Sequence, residues 1–281
     1  MPDIRIYVCC HKPFNVPKCD ILVPMQVGAA LADNHFDNFV CDDTSDNISS
    51  RNRSYCELTA LYWAWKNEVH DYYGLFHYRR YLYPDPDEKL PYTISKRADE
   101  ATLEKLGYAS FPEYISGFDL IMPKGEDMHV SVWNHYKNAP FHHIEDLSLL
   151  KEIIEKDYPE YTNAMNDYFS QTLNYFGNIC IMKKEIFFDY CSFLFGVLNK
   201  FDEKSDTGSY GIQDKRVDGY LGERLLGIYY TKRKSELKTA ELPRVHFMSG
   251  SSYFKQKTIN TLLPPGSEMR AKIKKLKRDK I

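Results

Sequence analysis

Four groups of side chains in the 281-residue chain have the types and spacing to do chemistry. His11 and Lys12 follow the apolar run RIYVCC at 5–10 and precede Pro13, which must end or turn the chain there, so two nitrogen-bearing side chains stand at a strand's end. Asn47, Ser49, Arg51 and Asn52 lie in the polar stretch CDDTSDNISSRN at 41–52, which is too rich in Asp, Asn and Ser to be a core element. Short polar side chains just before a helix suit recognition of a base and ribose, and they equally suit ordinary helix-start chemistry. His77, Tyr78, Arg79 and Arg80 close a second apolar run, YYGLF at 72–76. On a continuing strand His77 and Arg79 share one face and Arg80 the other. Asp218 and Glu223 introduce a late helical segment and are the candidates for accepting or holding a proton.

Alternating elements must position these groups. After the strand at 5–10, Ser54 and Glu57 form an S-x-x-E capping box, and Leu58, Leu61, Tyr62 and Trp65 recur at i, i+3, i+4 and i+7, which predicts a helix ending near Asn67. Strands follow at 72–76, 118–122 (FDLIM) and 178–182 (NICIM), with a Pro-, Asp-, Glu- and Lys-rich surface excursion expected over 84–117. Residues 127–169 read as helical cover over the site, 208–213 as a flexible loop and 219–230 as the last core helix. Phe187, Tyr190, Phe193, Leu194, Val197 and Leu198 keep a helical period. Strand and helix in alternation predict an α/β fold with an open, mostly parallel sheet flanked by helices, whose ligands sit beyond the strands' carboxyl ends.

Composition narrows the class. With 43% hydrophobic and 27% charged residues the chain can bury one sizeable core, so one domain is expected over 1–263, followed by a basic tail over 264–281. No run of about 18 apolar residues is present to span a bilayer, and the start MPDIRIYVCCHKP lacks the basic region and long apolar stretch of a secretory signal. The seven cysteines form no CxxC pair, and several lie in apolar runs, as reduced buried thiols of a cytoplasmic protein do. His142 and His143 are adjacent, so their side chains diverge on a helix and are not spaced for metal ligation. The last twelve residues carry seven Lys or Arg against one Asp, so the net charge of −2 leaves the body at −8. An acidic body excludes nucleic acid as the main partner.

The segments HKP at 11–13, DNIS at 46–49, RN at 51–52, ELTALYWAWKN at 57–67, GLFHYRRY at 74–81, NICIM at 178–182 and RVDGYLGERL at 216–225 carry a resemblance that spans nearly the whole chain. The chain resembles the bacterial capsular and exopolysaccharide glycosyltransferases long described as a domain of unknown function, GT-A-like and related to galactofuranosyltransferases. The resemblance implies that 1–83 mainly binds a nucleotide sugar and 118–255 mainly forms the acceptor and catalytic part. Most GT-A enzymes carry Asp-x-Asp, binding a divalent cation, at the position of His77-Tyr78-Arg79-Arg80. Here arginine is expected to meet the donor diphosphate in its place: two or three charge-assisted hydrogen bonds of roughly 1.5–3 kcal/mol each approach what a metal supplies. No cofactor is then needed; the alternatives are Mn or Mg, held for instance by Asp42, Asp43 and His246, or Arg79 and Arg80 paired with Asp85, Asp87 or Glu88 on the surface. Glu223, with Asp218 as the other candidate, is the expected base of an inverting transfer; the competing readings are a first-turn acid favoured by the helix dipole for Glu223 and a helix cap for Asp218. Asn178 and Tyr175 are expected at the donor or acceptor sugar.

The implied partners are a UDP-sugar, UDP-galactofuranose or UDP-galactose among the choices, and an oligosaccharide or polyprenyl-diphosphate-linked acceptor. A retaining transferase and a non-catalytic nucleotide-sugar or glycan-binding module of polysaccharide assembly remain alternatives. In the tail, Met269, Ile273, Leu276 and Ile281 lie among seven basic residues, which suits peripheral contact with an anionic membrane surface, against the alternative of a disordered solubilising tail.

Overall fold

A computed structural model describes residues 2–278. Its strands are β1 (Ile4–Cys10), β2 (Leu22–Gln26), β3 (Val40–Cys41), β4 (Tyr72–His77), β5 (Arg80–Leu82), β6 (Tyr92–Ser95), β7 (Leu120–Pro123), β8 (Glu126–Asp127), β9 (Leu173–Asn174), β10 (Cys180–Lys183), β11 (Thr239–Leu242) and β12 (Arg244–Phe247). Ten of them make one mixed sheet in the order β11-β7-β10-β4-β1-β2-β3, from which β5, β12 and β6 branch at β4, while β8 and β9 pair by themselves. Five pairings in the large sheet are parallel and four antiparallel, so the sheet is mixed and mostly parallel.

The apolar character of β1 from Ile6 to Cys10 follows from burial on both faces. Tyr7 and Cys9 enter one core with the helices Leu58–Asn67, Lys184–Lys204 and Val217–Arg233, and Ile6, Val8 and Cys10 enter the other. That second core includes Leu103, Tyr108, Phe111 and Ile115, so 84–117 is no mere surface excursion: β6 joins the sheet and two short helices there pack into the core on this face. Short runs such as YTIS and the isolated apolar positions of these six-residue helices have too little periodicity to be seen along the chain. Residues 219–230 lie in the helix Val217–Arg233, the last helix with core residues among the described residues; after it, only the strands β11 and β12 add to the core, through Leu242, Val245 and Phe247.

The capping box does not form. Asn52–Tyr55 is a separate turn of helix, Cys56 takes a left-handed φ of 51°, and the next helix starts at Leu58 with no side-chain cap from Glu57. Glu57 is thereby released for another task.

β1, β2, β3 and β4 run parallel, and β1 has β2 on one side and β4 on the other. The chain direction across the sheet therefore switches between β1 and β4, and a crevice opens at their carboxyl ends. The tail is tied to this body: Arg270 Nη2 donates to the Tyr92 hydroxyl (2.8 Å), Arg270 Nη1 donates to Asn260 Oδ1 (2.9 Å), and a His129 ring nitrogen meets the Gly266 carbonyl (2.9 Å). The helix Glu268–Arg278 follows, with Met269 exposed; Lys280 and Ile281 lie outside the described residues, as do the side chains of Lys274, Lys275, Leu276, Lys277 and Arg278. No helix of the described residues is long and apolar enough to cross a membrane.

Candidate active site

The tetrapeptide is a hairpin turn, not a continuing strand. His77 ends β4 and pairs with Arg80, which starts β5, leaving Tyr78 and Arg79 at the turn. Directly opposed residues of an antiparallel pair share a face, so His77 aligns with Arg80 rather than with Arg79. Arg80 in turn pairs with His246 of β12, which extends the row across three strands. Burial and the neighbouring guanidinium groups, those of Arg80 and Arg79 at His77 and of Arg244 and Arg80 at His246, pull the two imidazoles down to about 3 and about 2. Both rings are neutral in ordinary buffers.

Tyr78 is the platform under this turn. It is buried, its ring lies 5.2 Å from the ring of His11 and 5.0 Å from that of Phe14, and the Arg79 and Lys12 cations sit over it at 4.9 and 5.7 Å. Such contacts are worth about 0.5–1 kcal/mol each at exposed sites, enough to orient the long side chains. Burial, then Lys12, Arg79 and Arg216, lowers the proton affinity of His11. Lys12, Arg79, Arg80 and Arg216 thus rim the crevice with positive charge. Among the described residues neither Arg79 nor Arg80 makes a salt bridge, and Asp85 instead caps the backbone of Glu88.

Two carboxylates face that rim. β10 runs antiparallel to β4 with Cys180 opposite Leu75, so residues 177–178, just before it, arrive beside the end of β4. Both adopt left-handed backbone, φ 93° at Gly177 and 51° at Asn178. The Gly177 N–H donates to Glu223 Oε1 (2.6 Å), and the buried Asn178 Nδ2 donates to Glu57 Oε1 (2.9 Å) and the Gly219 carbonyl (3.1 Å). Glycine is what lets the helix Val217–Arg233 come this close: a Cβ at Gly222 would stand 2.7 Å from Leu58 Cδ1, and one at Gly219 would stand 3.0 Å from Cys56 Sγ. Arg80 lies against the same turn, 3.7 Å from where a Gly177 side chain would begin. Burial raises the Glu57 carboxyl pKa, the Asn178 hydrogen bond opposes that, and the charge of Glu223 raises it further. At Arg80, burial and Arg244 disfavour the cation while Glu223 and Glu57 favour it.

Of the two base candidates, Glu223 keeps 18% of its side chain exposed and lies in the second turn of its helix, beyond the first-turn dipole position. Asp218 is the first-turn acid, but it caps nothing: it is buried, and one oxygen accepts from Ser54 Oγ while the other has no partner among the described residues. Burial and the charge of Asp202 push its carboxyl up to about 7. A raised folded-state pKa means that the folded chain binds more protons between the ordinary carboxyl range and about 7, so this group's stability contribution falls as pH rises through that window. Asp218→Asn is therefore expected to melt higher than the wild type at pH 8 and close to it near pH 4, with turnover little changed. Equal melting at both pH values removes the buried-acid account.

The loop over 41–52 is turned on itself. Fully buried Asp42 accepts from the Gly28 N–H (2.9 Å), the Ala29 N–H (3.0 Å), Ser49 Oγ (2.5 Å) and Thr59 Oγ1 (2.6 Å). Asn47 Oδ1 accepts from the Ser49 N–H (3.1 Å), Asn52 Nδ2 donates to the Cys56 carbonyl (2.6 Å), and Arg51 pairs with Asp202 above the Tyr55 ring. None of the four donates to or accepts from the tetrapeptide. Asp42, Asp43 and His246 are not assembled as metal ligands either; among the described residues the one trio with ligand atoms within 4.8 Å is His35, Cys41 and Asp43. Tyr175 is buried, its hydroxyl on Glu241 (2.9 Å), so it serves the core.

The sequence profile of a family described as a domain of unknown function, DUF4422, matches residues 5–234. The chain belongs to this family. Every crevice group from His11 to Glu223 falls within the DUF4422 match, while Arg244 and His246 lie beyond it. The apo structure of the WbbM bifunctional glycosyltransferase is similar at 33% identity and a TM-score of 0.83, over 88% of this chain and 46% of that one. The DUF4422 chain thus spans about half the length of that protein and shares its α/β fold. No curated protein matches the chain significantly.

Sequence reasoning missed Glu57, which a capping box explained too readily, and Arg216, whose charge reaches His11, His77 and Glu57. The signal that could have found Glu57 is its place one residue after a cysteine in a segment with no acid on its other side until Glu68.

Proposed function

We propose that this DUF4422 chain is a glycosyltransferase that moves a hexosyl group, galactosyl or galactofuranosyl, from a UDP-sugar to a surface-polysaccharide acceptor with inversion. The observation that carries the reading is the opposition, at the carboxyl edge of β1 and β4, of a cationic rim, which makes no salt bridge among the described residues, to two carboxylates held on one backbone turn. Arg80, Arg79 and Lys12 bind the diphosphate, in keeping with the guanidinium's fit to phosphate oxygens. The groove lined by Pro13, Phe14, Asn34, Phe36 and Phe39, beside His11, offers flat rings for the base. Glu223 takes the proton of the acceptor hydroxyl as the bond to the sugar forms and the diphosphate leaves. The tetrapeptide offers no carboxylate to a cation, so donor binding is expected to be metal-independent.

A panel of UDP-sugars read by thermal shift and by slow donor hydrolysis, with and without EDTA, tests this. Stabilisation that survives EDTA together with turnover supports the transfer; UDP binding with no turnover on any sugar favours a non-catalytic module, and a strict need for Mn or Mg removes the guanidinium clamp.

The acceptor is an oligosaccharide or a polyprenyl-diphosphate-linked glycan, which places the enzyme in the cytoplasm, peripheral on the inner membrane face. The tail supplies the contact, at roughly 1 kcal/mol per basic residue near an anionic surface. Truncation after Pro265 is expected to abolish salt-sensitive cosedimentation with anionic liposomes, and equal binding by both forms refutes the tail's role.

A further inference from the structure

The Glu57 side chain makes no capping hydrogen bond to its helix, and two non-glycine residues with left-handed φ flank it: Cys56 (φ 51°) immediately before it, and Asn178 (φ 51°), whose side chain bonds it. Left-handed backbone at two non-glycine residues is strained and persists only where the surroundings over-determine it. Here it brings the Asn178 amide onto the Glu57 carboxyl. Asn178 Nδ2 is its one side-chain donor among the described residues, and no ion pair compensates its burial. Arg80 feels Glu57 and Glu223 alike, so a group bound at Arg80 is within the field of both acids.

We propose that Glu57 is a specificity-determining residue of this site: its carboxyl hydrogen-bonds a ring hydroxyl of the donor's hexose, while Glu223 faces the acceptor. The proposal rests on the transfer reading above. Arg80 lies against the Gly177–Asn178 turn, so the sugar of a diphosphate bound there would adjoin the turn to which both Glu57 and Glu223 are hydrogen-bonded. Glu223 is committed through Oε1 to the backbone N–H of that turn and keeps 18% of its side chain exposed, whereas Glu57 is held by the Asn178 side chain. A site built to hydrogen-bond a substrate hydroxyl discriminates strongly against an analogue lacking it, because its buried polar group is then left unpaired.

The test compares UDP with the tightest-binding UDP-hexose by calorimetry in wild type, Glu57→Ala and Glu57→Gln. UDP lacks the sugar, so its affinity is expected to stay within about twofold, while the extra affinity contributed by the hexose falls roughly tenfold or more in Glu57→Ala. Glu57→Gln preserves an acceptor for Asn178, so it reads the same ratio, with a smaller fall, if the alanine variant does not fold. Discrimination between UDP-hexose epimers is expected to narrow in both variants. Equal losses for UDP and UDP-hexose, or an unchanged ratio, overturn the assignment. A wild type that binds no UDP-sugar overturns the transfer reading itself, so the two failures are told apart.

Discussion

Glu223→Gln is expected to lower turnover by about 100-fold or more while leaving UDP affinity and melting temperature near those of the wild type. General-base help contributes roughly 10²–10⁴ to a rate, and glutamine cannot take the acceptor's proton. The side-chain carbonyl of glutamine still accepts the Gly177 N–H that Glu223 Oε1 accepts at 2.6 Å, so the turn that also carries Asn178 keeps its geometry. Single-turnover transfer and equilibrium UDP binding, measured on the same preparation, separate the two effects. Near-wild-type turnover moves the base elsewhere, and a large fall in melting temperature shows that Glu223 holds the helix against the turn rather than the proton.

Arg80→Ala is expected to weaken UDP binding by one to two orders of magnitude and to leave uridine binding unchanged. Each charge-assisted hydrogen bond to phosphate is worth roughly 1.5–3 kcal/mol, and every 1.4 kcal/mol is about tenfold in affinity. The side chain sits between His77 and His246 in the cross-strand row and against Gly177, so its loss removes the guanidinium of that row while Arg79 and Lys12 remain. Arg79→Ala is expected to cost less, because Arg79 stands on the exposed turn over Tyr78 and not in the row. Raising salt should weaken the wild type more than Arg80→Ala. Equal UDP affinity in the two proteins would return Arg80 to a structural role between β4 and β12.

The amino-acid order by itself determined the strands that matter most. After Arg5, the runs RIYVCC and YYGLF hold no charged residue because β1 and β4 are buried on both faces, and a pattern so local is read without knowing what lies across the sheet. It also placed His11, Lys12, His77, Arg79 and Arg80 at one edge, since each group directly follows such a run. Tertiary structure decided the rest. Whether residues 77–80 continue a strand or turn back depends on β5 having β12 to pair with, and β12 lies more than 160 residues later. Ser49 and Asn52 look like ligand groups in sequence; they are spent on Asp42, Thr59 and Cys56, because buried loop polar groups must find partners inside the fold. Glu57 and Glu223 meet only because two glycines, three residues apart on one helix face, let that helix press against Leu58 and Cys56, and a contact between segments so distant leaves no periodic trace in either one.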